Sequence, residues 1–226
     1  MKRILTTLAQ KWPEYLLEIL VITTGIFGAF MLNNWNEERK TQYKERELLE
    51  ETYANIKSDT ILLNKEYNDL KKVLEYGLFI EKKFEKDGSY EEKLDTAFAL
   101  ISEGYVIEVN YSTYERFKIV GLEIIKNDSI RLQLIDYYEQ SKHLKYIEDY
   151  FENSRIFRQQ IYPKYFKSYR HSTFAIPNNY ERLKNNSEFN IALDYSINDA
   201  GFFMHLSLEK KKKAIELLKM IKEEIQ

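Results

Sequence analysis

Residues 16–32 read LLEILVITTGIFGAFML, and Glu18 is the one charged side chain among them. Taken from Tyr15 to Asn33, a helix of about 19 residues rises roughly 28 Å, close to a hydrocarbon core of about 30 Å. Trp12 and Tyr15 precede the run and Trp35 follows it, as expected of side chains that settle at headgroup level. Pro13 sits just before the run, where a first-turn proline is tolerated. The run ends Phe30-Met31-Leu32-Asn33-Asn34-Trp35, with no A-x-A cleavage pattern, so it reads as an uncleaved transmembrane anchor. Within it Gly25 with Ala29, and Thr24 with Gly28, form small-xxx-small pairs that permit close helix–helix contact. Glu18 is either a charge aimed at a partner helix in the membrane or a side chain that snorkels to the nearby interface.

Outside this run the composition favours long helices. The chain has 226 residues, of which only 7 are Gly and 3 Pro, so turns are scarce. With no cysteine, disulfides, thiolate nucleophiles and Cys-ligated metals are ruled out. A net charge of −2 provides no basic field, and nucleic acid is not an expected partner. The flanks of the anchor carry Lys2, Arg3 and Lys11 on one side and Arg39, Lys40, Lys44 and Arg46 on the other. A short basic N-tail before an uncleaved anchor favours a cytoplasmic N-terminus, a single pass and a soluble domain on the far side, which for a bacterial chain would mean the inner membrane and the periplasm.

After the anchor, Leu49, Tyr53, Ile56, Thr60, Leu63, Tyr67, Leu70, Leu74 and Gly77 recur at alternating spacings of four and three, a heptad-like seam. Tyr, Thr and Gly are poor coiled-coil choices, so packing within a bundle is preferred to a dimer zipper. The helix should stop near Lys86-Asp87-Gly88. Ser89 to Glu92 and Ser112 to Glu115 read as capping boxes, Gly121 as a stop, and Asn127-Asp128 as the next cap. Tyr105–Val109 is β-prone but too short to argue for a sheet. The next helix runs through Ile130, Leu134, Tyr137, Leu144 and Ile147 to about Gln160, and Pro163 breaks or kinks it. Residues 172–186 read as a loop with a short helical turn. A final helix begins at Ser187, with Leu208, Ile215, Leu218, Ile221 and Ile225 on its buried face. The expected fold is all-α: a transmembrane helix continuing into a long stalk helix, then an antiparallel helical bundle. The expected divisions are a tail at 1–14, the transmembrane helix at 15–35, the stalk or first bundle helix at 36–86, and the rest of the bundle at 87–226.

The segment from Glu18-Ile19 through Gly25-Ile26 to Asn33-Asn34-Trp35-Asn36-Glu37 resembles a family of uncharacterised, membrane-anchored bacterial proteins whose hydrophobic helix ends in Asn-Asn-Trp-Asn-Glu. Thr113-Tyr114-Glu115 to Gly121, Ile125-Lys126-Asn127 and Leu132 to Tyr138 look like the same family. The resemblance implies a single-pass, helical bacterial membrane protein and carries no activity with it.

No catalytic motif emerges. The three histidines, His143, His171 and His205, have no zinc-ligand spacing, and no cofactor is expected. His143 and Glu139 share a helix face, which reads as a surface contact. The most distinctive soluble stretch, Tyr150 to Phe174, interleaves Arg155, Arg158, Lys164, Lys167 and Arg170 with Tyr150, Phe151, Phe157, Tyr162, Tyr165, Phe166 and Tyr169. It reads either as an anion, ligand or lipid-headgroup patch or as an aromatic core face backed by solvated cations. Lys210–Lys213 reads as a solvated face or a contact with acidic lipid or a partner. The expected role is a non-enzymatic, membrane-anchored interaction or scaffold protein. Its expected partners are membrane lipid, a second copy of itself, or another membrane or envelope protein. The alternative is a ligand-sensing helical domain acting through a separate signalling partner.

Overall fold

The protein is described by a computed structural model covering the backbone of residues 2–104, 109–150 and 153–226, and the side chains of the same residues outside 2–11, 143–150 and 153–154. Helix α1 spans Lys2–Glu85, followed by α2 (Lys93–Leu100), α3 (Ser112–Val120) and α4 (Asp128–Tyr150). The chain continues through α5 (Asn153–Ile156), a π-helical turn (Phe157–Ile161) and α6 (Tyr162–Tyr165), then strands β1 (Phe166–Arg170) and β2 (Phe174–Pro177), α7 (Tyr180–Lys184) and α8 (Ser187–Ile225). The architecture is all-α with one small hairpin. It falls into two compact units, Met1–Leu48 and Leu49–Gln226.

In the first unit, α1 is long and apolar enough to cross a membrane by length and composition. Its side chains from Trp12 through Trp35 are all exposed, including Glu18, Gly25, Gly28 and Ala29. A Cβ added to Gly25 or Gly28 would meet nothing. Thr24 returns its hydroxyl to the carbonyl of Leu20 at 2.7 Å, satisfying itself without a partner helix. Arg39 lies over the Trp35 ring, 5.5 Å from its centroid. Pro13 is not at a helix start as expected: α1 begins at Lys2, which makes Pro13 an interior residue.

In the second unit, α1 buries Leu49, Thr52, Ile56, Asp59, Leu63, Leu70, Val73, Gly77 and Ile80. The heptad-like seam is therefore half right. Leu49, Ile56, Leu63, Leu70 and Gly77 hold their places, but Tyr53, Thr60 and Leu74 give way to the residue before each, Thr52, Asp59 and Val73, Tyr67 is half-buried, and Ile80 extends the face. An apolar pattern search passes over Thr52 and Asp59 because they are polar. At Gly77 the missing side chain makes room for α8, since an added Cβ would lie 2.6 Å from Ile197 Cγ1.

Helix α1 ends in a Schellman arrangement. The Gly88 N–H donates to the Lys83 carbonyl at 2.8 Å and the Asp87 N–H to that of Phe84 at 3.2 Å. The left-handed residue is Asp87, at φ 52°, rather than the glycine; a short polar side chain tolerates that region. Ser89 caps nothing, because α2 begins at Lys93 with no side-chain cap. Ser112 is likewise the first residue of α3 rather than its cap. Its N–H is held instead by Asn110 Oδ1 at 3.0 Å. Gly121 stops α3 at φ 104°, and Asn127 Oδ1 caps α4 through Ser129 N–H at 3.1 Å, both as expected. The β-prone residues 105–108 lie outside the described residues, as do the side chains of His143, Leu144 and Ile147.

Two expectations about the C-terminal half are corrected. Pro163 does not break the chain's helicity. The preceding π-helical turn widens the spiral, the Tyr162 N–H reaches the Phe157 carbonyl, and Pro163 sits in the first turn of α6 where its missing N–H is harmless. Within 172–186 the expected short helical turn is present as α7, capped by Asn179, but the residues before it are not a loop: β2 pairs antiparallel with β1. The main core gathers around α2, the π turn and the hairpin, where Phe98, Phe157, Tyr162, Phe166, Leu183 and Phe189 are buried together.

The buried face of α8 also differs. It carries Phe189, Leu193, Ala200, Phe203, Ser207, Lys210, Ala214, Leu217 and Ile221. Leu208 is 38% exposed and Ile215 52%, while Leu218 and Ile225 are half-buried. Only Ile221 of the expected set is fully buried, because the true stripe runs through Ser207 and Lys210.

Candidate functional site

Two places concentrate chemistry, and only one of them was legible in the sequence. The first is the interior between α1, α4 and α8. Lys210 is 3% exposed. Its ammonium donates to the Tyr137 carbonyl and to Ser141 Oγ, and lies 3.8 Å from the centroid of the Tyr137 ring. Tyr137 in turn donates its hydroxyl to Asp59 Oδ2 at 2.9 Å, and the Asn110 N–H donates to Asp59 Oδ1 at 3.1 Å. A buried cation and a buried anion are thus joined through one tyrosine, which offers its ring to the first and its hydroxyl to the second. Burial pushes the Lys210 ammonium down to about 7, against the opposing pull of Asp59. Burial raises Asp59 as well, opposed by the Asn110 N–H, the Tyr137 hydroxyl and Lys210. Burial, followed by the Asp59 charge, holds the Tyr137 phenol far above its ordinary range.

Around this pair stand more tyrosines. Tyr138 meets Tyr137 edge-on at 5.0 Å and stacks on Tyr114 at 4.5 Å. Tyr114 donates to Glu139 at 3.1 Å, the carboxylate that also holds Lys142 at 2.8 Å. The Tyr138 hydroxyl and Ser207 Oγ are buried with no hydrogen-bond partner among the described residues. The run Lys210–Lys213 is therefore not one solvated face. Lys210 points inward, while Lys211 reaches Asn64 at 2.6 Å, Lys212 reaches Glu209 at 2.6 Å, and Lys213 reaches Asp136 at 2.8 Å. No apolar periodicity announces Lys210. The one available signal is its place on the stripe Phe203, Ser207, Lys210, Ala214.

The second place is the aromatic and basic stretch. Its rings divide from its cations as an aromatic core face requires: Phe157, Tyr162 and Phe166 are buried, and Arg155, Arg158, Lys164, Lys167 and Arg170 are exposed. The five cations do not form one patch. Lys164 pairs with Glu188 at 2.6 Å, and Arg170 lies over Phe174 at 5.5 Å. Arg158 and Lys167 instead line one open cleft of about 280 Å³ with Tyr162, Phe166, Ser168 and Tyr169.

Each of these two cations stands at a backbone irregularity. Arg158 lies in the π-helical turn. Lys167 lies at a bulge of β1, where the register slips between Phe166 and Ser168. Behind them Tyr162 and Tyr169 stack with centroids 4.3 Å apart, and the Tyr162 hydroxyl donates to the Phe98 carbonyl at 2.6 Å. Arg158 is near enough to Tyr162 for its charge to favour the phenolate, while burial dominates and drives that phenol strongly upward. Among the described residues, no three His, Asp or Glu side chains converge to hold a metal ion. No known protein family, curated protein or solved structure matches this chain.

Proposed function

We propose that this chain is a membrane-anchored, non-enzymatic interaction or scaffold protein that self-associates or joins another envelope component. One observation carries the reading: the apolar side chains between Leu16 and Leu32 are exposed all around their helix. In water that surface would cost on the order of tens of kcal/mol, and a bilayer removes the cost. The aromatic ends at Trp12, Tyr15 and Trp35 fit interfacial anchoring. The buried ionisable groups Asp59, Tyr137 and Lys210 bind one another, which favours a structural task for them.

In this reading the N-terminus is cytoplasmic and the helical domain periplasmic. Alkaline phosphatase fused after Gln226 is then active and a fluorescent protein fused there is dark; the reverse pattern inverts the orientation. In-cell cross-linking followed by affinity purification of the full chain in mild detergent tests the role itself. A reproducible second protein, or a cross-linked dimer lost on replacing Gly25 and Gly28 with Leu, supports it. A bare monomer rejects it. A second reading, a ligand-sensing domain acting through a separate signalling partner, is favoured by the cleft at Arg158 and Lys167.

A further inference from the structure

We infer that the cleft between the π-helical turn and β1 binds a small organic anion, a carboxylate or phosphate group carried on an apolar ring. The inference goes beyond anchoring and scaffolding and does not depend on them. Three observations converge on it. Arg158 and Lys167 both line the cleft, and neither has an ion-pair partner among the described residues. Lys164, adjacent in the chain to the cleft residue Pro163, does have a partner, Glu188. Two like charges sharing a cleft repel, and a bound anion relieves that repulsion.

Each cation is also presented by a local departure from regular backbone, a π turn for Arg158 and a bulge for Lys167. Such departures re-aim side chains and recur at functional sites. A regular helix and a regular strand would be easier to form. Both irregularities border the same cleft, and Pro163 follows the first in the opening turn of α6.

The remaining lining sets the rest of the ligand. Tyr169, half-buried, provides ring surface beside the buried Tyr162 and Phe166, and Ser168 also lines the cleft. A volume of about 280 Å³ is enough to seat one ring with its charged group. The guanidinium and ammonium then take the oxygens while the rings take the body. The same chemistry is met by a free aromatic acid or phosphate monoester and by the headgroup of an anionic lipid.

Phenyl phosphate is the probe, titrated calorimetrically into the full chain held in phosphatidylcholine nanodiscs, with inorganic phosphate and benzoate alongside. Phenyl phosphate should bind more tightly than inorganic phosphate and weaken as salt is raised. Arg158→Gln and Lys167→Gln should each weaken it about tenfold, at unchanged melting temperature, while Lys164→Gln leaves it as it was. Competition by short-chain phosphatidylglycerol, and not by phosphatidylcholine, assigns the anion to a lipid headgroup; no competition assigns it to a free ligand. Absence of binding by both phenyl phosphate and benzoate at millimolar concentration overturns the inference. So does equal binding by the Arg158→Gln/Lys167→Gln double variant.

Discussion

Lys210 and Tyr137 touch in two ways: the ammonium sits 3.8 Å from the tyrosine's ring centroid and also donates to the same residue's backbone carbonyl. Residues 73 positions apart are thereby locked face to face across α4 and α8. The price of a buried cation is met by the ring, the carbonyl, Ser141 and, through the Tyr137 hydroxyl, Asp59.

That arrangement makes stability depend on pH with a definite sign. Folded Lys210 loses its proton near pH 7, whereas the unfolded chain keeps it to about 10.5. Between those values the unfolded state binds more protons, so stability rises with pH, by at most about 1.4 kcal/mol per unit. The groups facing Lys210 are Asp59, Tyr137 and Ser141, with Asp136 and Lys213 acting from farther off. Tyr137 and Tyr138, held above their ordinary value, reverse the slope only above about pH 10. Denaturant midpoints of the full chain in detergent should climb from pH 7 to 9 and stay flat in Lys210→Met. Parallel profiles for the two proteins would reject the assignment.

Asp59 and Lys210 should be energetically coupled although no direct bond joins them. Below pH 7, where Lys210 is charged, Asp59→Ala strands the Tyr137 hydroxyl and the Asn110 N–H and leaves the cation uncompensated, at a cost of roughly 3–5 kcal/mol. In a cycle of Asp59→Asn, Lys210→Met and the pair, the double variant should lose less than the two singles combined, by about 1 kcal/mol or more. Strict additivity of the melting free energies would mean that the ring and carbonyl alone carry the cation.

Gly77→Ala should destabilise even though alanine is the better helix former by about 1 kcal/mol. Its Cβ would lie 2.6 Å from Ile197 Cγ1, and overpacking of this kind costs roughly 1–3 kcal/mol. Ile197→Ala opens that space, so in its background Gly77→Ala should turn neutral or favourable. Thermal unfolding of the four proteins checks the sign.

Helix starts give a comparison between two polar residues. Asn127→Ala should cost about 1 kcal/mol, because its side chain holds the first N–H groups of α4. Ser89→Ala should change nothing measurable, since Ser89 caps no helix. Equal losses at both positions would contradict the observed start of α2.

The sequence-based and structural readings part company at particular residues. Asn127 and Gly121 were readable because a cap and a left-handed stop are properties of a few neighbouring residues. Asp87 was missed as the left-handed residue because a glycine stands next to it. The hairpin was missed because Pro177 and several asparagines resemble a loop, and its strands are held by pairing with each other and by packing of Phe166 and Ala175 into the core. For the candidate cleft, the sequence supplied the five cations together. The structure separates Arg158 and Lys167 from Lys164 and Arg170, through a π turn and a bulge that no spacing rule specifies.

What the sequence determined by itself is local in origin: an apolar run as long as a bilayer is thick, helices through most of the chain, and the caps and stops at Asn127 and Gly121. These rest on the 3.6-residue period and on side-chain-to-backbone bonds within a turn or two. What only the tertiary structure decided is which polar groups go inside. Lys210 and Asp59 carry the same charges as their exposed neighbours, and burying either alone costs several kcal/mol. Burial becomes tolerable when Tyr137, Ser141 and Asn110 arrive from distant parts of the chain, and that meeting is a property of how the helices pack.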